Sequence, residues 1–197
     1  MKSLRRLFLT APCAAAALFA LAVAPAAQAD TVTLTACNSA TLTQVFLPWA
    51  DPSYYELAPG GDFESTSAPW TLSGGAAIVS GSEPFAVTGS LGSSSLSLPA
   101  GASAVSPSTC VDAAYPDIRF FVAGTGLIQV SVIYGNQVIP AGTVPAGGSW
   151  APGPIAVTGS AVAGALNGGT AQVSIALTAL SGNPQVDDVY IDPWRST

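Results

Sequence analysis

The chain has 197 residues, with 5 Lys or Arg, 11 Asp or Glu and no His, for a formal charge of −6. A chain this poor in bases cannot neutralise a phosphate backbone or an anionic lipid surface, which excludes nucleic acid and such membranes as partners. Without His there are no His-dependent triads and no His-ligated zinc.

The first segment reads as an export signal. Lys2, Arg5 and Arg6 precede an apolar stretch from Ala11 to Ala27, and Ala27-Gln28-Ala29 fits a small-x-small cleavage site. Residues 1–29 are therefore expected to be a signal peptide, and the mature chain to begin at Asp30. The stretch is slightly short for a membrane span, so no membrane insertion is expected after cleavage. Arg5-Arg6-Leu7-Phe8-Leu9 also resembles a twin-arginine motif, which leaves the export route open. Cleavage would leave Arg119 and Arg195 against all eleven acids, a net charge of −9 with no Lys. The remaining 30–197 fits one domain with a full core. Its only cysteines, Cys37 and Cys110, are expected to form a disulfide outside the cytosol. That bridge would close a loop of about 73 residues, worth roughly 4 kcal/mol.

Residues 30–58 read as an irregular arm, apart from a candidate strand at Val32 to Ala36. Trp49-Ala50-Asp51-Pro52-Ser53-Tyr54-Tyr55 packs three aromatics and a proline into an expected loop. From 59 to 197 the chain reads as short strands separated by Gly and Pro turns, with no sustained helical period. Strands are expected at Trp70–Leu72, Ala76–Val79, Phe85–Thr88 and around Leu96 and Leu98. Ile118 to Val122 is a denser run suited to a central strand, and Ile128, Val130, Val132 and Tyr134 alternate as on a half-buried one. Further strands are expected at Ile155–Thr158, Val173–Thr178 and Val186–Ile191. About ten such strands predict an all-β sandwich or barrel.

The few acids gather at the two ends of this region, in Gly60-Gly61-Asp62-Phe63-Glu64 and in Val186-Asp187-Asp188-Val189-Tyr190-Ile191-Asp192. First and last strands of a closed sandwich commonly pair, which would bring the two clusters together. Strand side chains alternate between faces, so either Asp187 or Asp188 must share a face with apolar residues. A buried carboxylate needs a hydrogen-bonding partner, a proton or a cation. Arg119 and Arg195 are the only bases on offer, and Asp112 or Asp117 is the expected partner of Arg119. Calcium, which accepts carboxylates and backbone carbonyls, is the expected extracellular answer.

Gly-Gly-Asp-Phe-Glu at 60–64, Trp70 in Pro-Trp-Thr-Leu-Ser-Gly-Gly-Ala, and the terminal Val-Asp-Asp-Val together resemble the galactose-binding-domain-like jelly rolls. Many carbohydrate-binding modules of bacterial polysaccharide hydrolases share that opening and closing. The resemblance spans about 59–193 and implies a jelly-roll β-sandwich with a structural calcium. By position it implies Glu64 and Asp187 as ligands, with Asp62 and Asp188 as second choices. The arm before residue 59 lies outside the pattern, which leaves open whether the sugar-binding surface is retained or covered.

Stacking on a sugar ring needs exposed aromatic faces. Trp49, Tyr54, Tyr55 and Trp150 lie in turn-rich segments and are the candidates; Trp70 and Trp194 are expected to pack. A carboxylate pair among Asp62, Glu64, Asp187 and Asp188 is the one catalytic option, for glycoside hydrolysis. The same residues suit the calcium reading better, so no enzyme is expected. The sequence thus predicts a secreted or cell-wall-associated, non-catalytic module that binds carbohydrate or a cell-surface component. Its rival is a structural or protein-interaction sandwich of the cell surface without sugar binding.

Overall fold

The computed structural model describes residues 42–67, 69–112, 117–157 and 170–192. The expected signal peptide, the Val32–Ala36 strand, Cys37, Trp194 and Arg195 lie outside them. The chain is all-β, as expected. In chain order its strands are β1 (Glu56–Leu57), β2 (Thr71–Ser73), β3 (Ala77–Ser80), β4 (Ser94–Ser97), β5 (Ser103–Val105), β6 (Thr109–Asp112), β7 (Asp117–Tyr134), β8 (Gln137–Pro152), β9 (Ala156–Val157), β10 (Thr170–Gly182) and β11 (Gln185–Asp192). A 3-10 turn covers Leu47–Trp49.

The strands follow the order β2-β5-β10-β7-β11-β4-β3, all antiparallel, with β1 on β11, β6 on β10, and β8 and β9 on β7. β7 joins the two halves of the sandwich. Its first part, Asp117–Ala123, pairs with β11, and its second, Gly126–Ile133, pairs with β10. The strand changes partner where Gly126 passes Gly182. A Cβ on Gly126 would lie 2.0 Å from the Ser181 carbonyl oxygen, and one on Gly182 would lie 2.0 Å from that of Thr125, so neither position admits a side chain.

The inner faces share one core. Leu96, Ile118, Phe120, Val130, Ile175, Leu177, Val186 and Ile191 are fully buried in it. The dense run Ile118–Val122 is central, as its composition predicts, and both its faces are covered. Ile118, Phe120 and Val122 face the main core, while Phe121 belongs to a second cluster with Phe46, Tyr55 and Tyr190. A strand buried on both sides needs continuous rather than alternating apolar residues.

The structure corrects one strand expectation and adds β5, β6 and β8, which the sequence reading leaves out. Phe85–Thr88 is turn and loop, fastened by Glu83, whose carboxylate accepts the N–H groups of Phe85 and Val87. The segment Gln137–Pro152, rich in Gly and Pro, is a 16-residue strand. It is laddered with β7 alone among the described residues, so the N–H groups that Pro140 and Pro145 lack fall on an edge.

Candidate functional site

The two acidic clusters do meet. β1 pairs with β11 through Glu56↔Ile191 and Leu57↔Tyr190. Just beyond, Val189 N–H donates to the Gly61 carbonyl at 3.0 Å and Ala58 N–H to that of Val189 at 2.9 Å. A Cβ on Gly61 would lie 2.6 Å from the Val189 carbonyl oxygen, so this approach requires glycine. Asp62 is thereby carried to the neighbourhood of Asp188, whose carboxyl feels its charge.

Alternation does not decide between Asp187 and Asp188, because β11 is bulged there. Its register with β7 shifts between Asp187 and Tyr190, and Asp188 sits at φ +47°. A bulge frees consecutive residues from opposite faces. Both carboxylates are consequently buried, at 1% and 4% exposure, together with Glu83 at 1%. Asp187 accepts from Ser82 Oγ at 2.7 Å and from the Glu83 and Asp188 N–H groups at 2.9 Å each. The Glu83 carboxyl lies close to that of Asp188, and both its charge and its oxygens favour the protonated form of Asp188. Desolvation, only partly offset by those donors, raises the Asp187 carboxyl to about 6. Desolvation and then the charges of Asp187 and Glu83 raise Asp188 further, to about 8.

Glu64 is placed differently. It lies at the surface and accepts from Ser93 N–H at 2.6 Å, Ser93 Oγ at 2.7 Å and Ser94 N–H at 2.6 Å, which ties the 60–64 turn to the start of β4. Burial opposes its charge, but these donors outweigh it and hold the carboxyl below its ordinary value. Glu64 and Asp187 remain neighbours through Ser82. A Cβ on Gly92 would sit 2.6 Å from Ser82 Oγ and 2.8 Å from Glu64 Oε1, and the same hydroxyl donates to Asp187.

The donor chemistry of this group suits a hard cation. All its ligating atoms are oxygens, and the one base among the described residues, Arg119, is engaged elsewhere. Ser95 supplies a further oxygen. It precedes the core residue Leu96, which pairs with Val186, so Ser95 lies beside Asp187 on the opposite face; its Oγ is buried with no hydrogen-bond partner. As the side chains stand, however, no three acidic groups among the described residues are gathered to hold a metal ion. Backbone oxygens would have to complete the set.

The second part of the site is aromatic. Phe46, Trp49 and Tyr55 of the arm dock on Phe121 of β7 and Tyr190 of β11. Ring centroids lie 5.4 Å apart for Phe46–Phe121, 5.7 Å for Phe46–Tyr190 and 5.3 Å for Trp49–Phe121. Phe85 closes the edge, 5.1 Å from Trp49 and 5.3 Å from Phe121. Arg119 projects from β7 into this layer with its guanidinium 4.6 Å from the Phe46 ring centroid. It pairs with Asp51 of the arm at 2.5 Å, a partner the sequence does not suggest, because the arm folds back over this face. Tyr55 Oη donates to the same Asp51 oxygen at 2.8 Å, and Arg119 Nε donates to the Gly153 carbonyl at 3.0 Å.

The aromatic candidates separate accordingly. Tyr55 is corrected from ligand contact to core: it is fully buried and its hydroxyl is engaged by Asp51. Tyr54 is exposed, at 51%. Trp49 and Trp150 are half-buried, each with one side against the second cluster. Phe85, which the sequence places in a strand, joins this rim at 40% exposure. Trp70 packs as expected, edge-on to Phe63 at 5.3 Å, with Nε1 donating to the Pro59 carbonyl. Beside it, Phe63, Leu72 and Ile78 line an open, mainly apolar pocket of about 260 Å³. Cys110 on β6 is disulfide-bonded. Glu83 and Asp51 are the two acids of the site that sequence reading misses. Each sits beside a Pro in a loop, with no periodicity to mark its direction.

No family model matches the chain, and no curated protein matches it. Solved structures similar in fold include carbohydrate-binding modules. One is the family 6 module CsCBM6-3 from Clostridium stercorarium, in complex with cellobiose, at 15% identity and a TM-score of 0.43, covering 68% of this chain and 92% of that one. Another is the CBM22-1 xylan-binding domain from Paenibacillus barcinonensis Xyn10C, at 14% identity and a TM-score of 0.43, covering 70% and 94%. A third is the Clostridium thermocellum xylanase 10B CBM22-1–GH10 structure with xylohexaose, at 14% identity and a TM-score of 0.44. It covers 72% of this chain, which spans only 27% of that one.

Proposed function

We propose that this chain is a secreted, non-catalytic carbohydrate-binding sandwich that acts outside the cell or at the cell wall. The observation that carries this reading is the half-exposed aromatic rim of Trp49, Phe85 and Trp150 above a buried aromatic cluster. Rings packed on a core and open on one side offer apolar area at low entropic cost, which is what the C–H face of a pyranose needs. An acidic surface without Lys favours a neutral glycan. The burial of Asp187, Asp188 and Glu83 supports a non-catalytic role, because a glycosidase must present both carboxyls to the sugar. The Cys37–Cys110 disulfide belongs to this reading, as does a structural calcium held by Asp187 and Asp188, with Asp62 and Glu64 beside them.

A glycan array on the mature protein, read with calcium and with chelator, tests the proposal. Cellohexaose, xylohexaose and β-1,4-galactotriose serve as neutral probes. Trp150→Ala is expected to weaken the best-bound probe by about tenfold, the loss of roughly 1.4 kcal/mol of stacking. Absence of binding to every neutral glycan would overturn it. One observation favours the second reading, a structural or protein-interaction sandwich. The arm already covers Phe121 and Tyr190, so the closed molecule shows a sugar only the rim of this face.

A further inference from the structure

The covering of that face is built unlike the rest of the molecule. Residues 43 to 55 form a loop whose ends are tied by a single bridge, with Thr43 N–H to the Tyr55 carbonyl at 2.9 Å and Tyr55 N–H to that of Thr43 at 2.8 Å. Its remaining described backbone hydrogen bonds stay inside it: Leu47 to Gln44, Trp49 and Asp51 to Phe46, and Ala50 to Leu47. Gln44 Nε2 and Ser53 N–H also bond within it, to the Pro52 carbonyl and the Asp51 carboxylate. Among the described residues the loop therefore meets the sheet through side chains. The contacts are the rings of Phe46, Trp49 and Tyr55, and one charged latch, Asp51 on Arg119. Lifting it breaks no strand ladder of β7 or β11. It uncovers the faces of Phe121 and Tyr190 with the Arg119 guanidinium between them, two stacking rings and a hydrogen-bond donor.

We propose that the 43–55 loop is a lid, latched by Asp51 and hinged at the Thr43–Tyr55 bridge, that closes over the Phe121–Tyr190 face and opens to admit the glycan. The ligand in this proposal rests on the carbohydrate reading above; the opening does not. A binding-competent state that is only partly populated lowers the apparent affinity by that fraction, so weakening the latch must tighten binding.

Hydrogen exchange on the whole mature protein tests both halves. Once its rings lift, the loop has only a few turn hydrogen bonds, so its amides exchange through a local opening. The amides of Trp49, Ala50 and Asp51 are expected to exchange at least about tenfold faster than those of β7. Asp51→Asn is expected to accelerate them about tenfold more while leaving 117–134 unchanged; Tyr55→Phe, which removes only the hydroxyl, should do so more weakly. With the best-bound of the three oligosaccharides added, the loop should exchange faster and 117–123 slower, and Asp51→Asn should bind it several-fold tighter. Loop amides that exchange only with global unfolding would overturn the lid, as would a glycan that slows their exchange. If no oligosaccharide binds, the carbohydrate reading fails while the exchange of Asp51→Asn against wild type still decides the lid.

Discussion

Asp51 and Asp188 are the same residue type, both nearly closed to solvent, and their surroundings drive them in opposite directions. Asp51 is 7% exposed and Asp188 4%. Burial opposes the charge of both. At Asp51 it is outweighed by the Ser53 amide, the Tyr55 hydroxyl and Arg119, and the carboxyl is held below its ordinary value. At Asp188 the neighbours are Asp187, Glu83 and Asp62, which add repulsion to desolvation. Burial sets the scale of an electrostatic effect and the neighbours set its sign. One group is complete as folded. The other is completed only by a proton or a cation, and that difference is open to measurement.

The widest effect expected is on pH dependence. Asp187 and Asp188 titrate from 3.8 in the unfolded chain to about 6 and about 8 in the folded one. Their folded values are raised, so their contribution is intact below pH 4 and is lost as pH rises through 6 and 8. In chelator the folding free energy should therefore fall from about pH 4 to about pH 8, by roughly 3 kcal/mol or more, since each tenfold gain in proton affinity on folding is worth about 1.4 kcal/mol. Calcium should flatten this slope by taking the place of the protons. Asp51 works the other way: its folded value is lowered, and its stabilisation is lost only as pH falls below the ordinary carboxylate range. Urea melts at pH 4, 6 and 8, with chelator and with calcium, read the comparison directly. A chelated protein that is most stable at pH 8 would remove the case for a cation.

Identical substitutions at the two aspartates should then differ in sign. Asp51→Asn gives up charge-assisted bonds to Arg119 and is expected to cost about 2 kcal/mol. Asp188→Asn relieves repulsion and is expected to stabilise the chelated protein at pH 8 by about 1 kcal/mol, while abolishing the rise of Tm with calcium. Loss of stability in both variants would mean that the Asp188 group is already complete without an ion.

The sequence predicts one of these environments better than the other. The pairing of chain ends follows from strand patterning, and the isolation of Asp187 and Asp188 from bases follows from a chain with almost none. The bulge at Asp188 could not be read, because it arises from a register shift against β7 rather than from anything in Val-Asp-Asp-Val itself. Asp51 was equally hidden. Its partner is 68 residues away, and only the return of the arm over β7 brings them together. Phe85–Thr88 has strand-like composition, yet the buried Glu83 carboxylate takes up its N–H groups and turns it into a loop. β8 carries prolines that argue against a strand, and they are tolerated because its outer edge has no ladder among the described residues.

Glu64 offers the smallest test and the one that separates a tie from a ligand. Its three hydrogen bonds lie at the surface, where a hydrogen bond to a charged group is worth about 1 kcal/mol rather than the roughly 3 it can reach when buried. Glu64→Ala should lower Tm by a few degrees whether or not an ion is bound, because it detaches the 60–64 turn from Ser93 and Ser94. If Glu64 also ligates calcium, the loss should be larger with calcium than in chelator, and the calcium-induced rise of Tm should shrink. An equal loss in both conditions would assign Glu64 to the tie alone and leave the ion to Asp187 and Asp188. Glu64→Gln sharpens the result. It keeps an acceptor for the Ser93 and Ser94 N–H groups and removes the charge, so it should recover much of the chelated Tm but none of the calcium response.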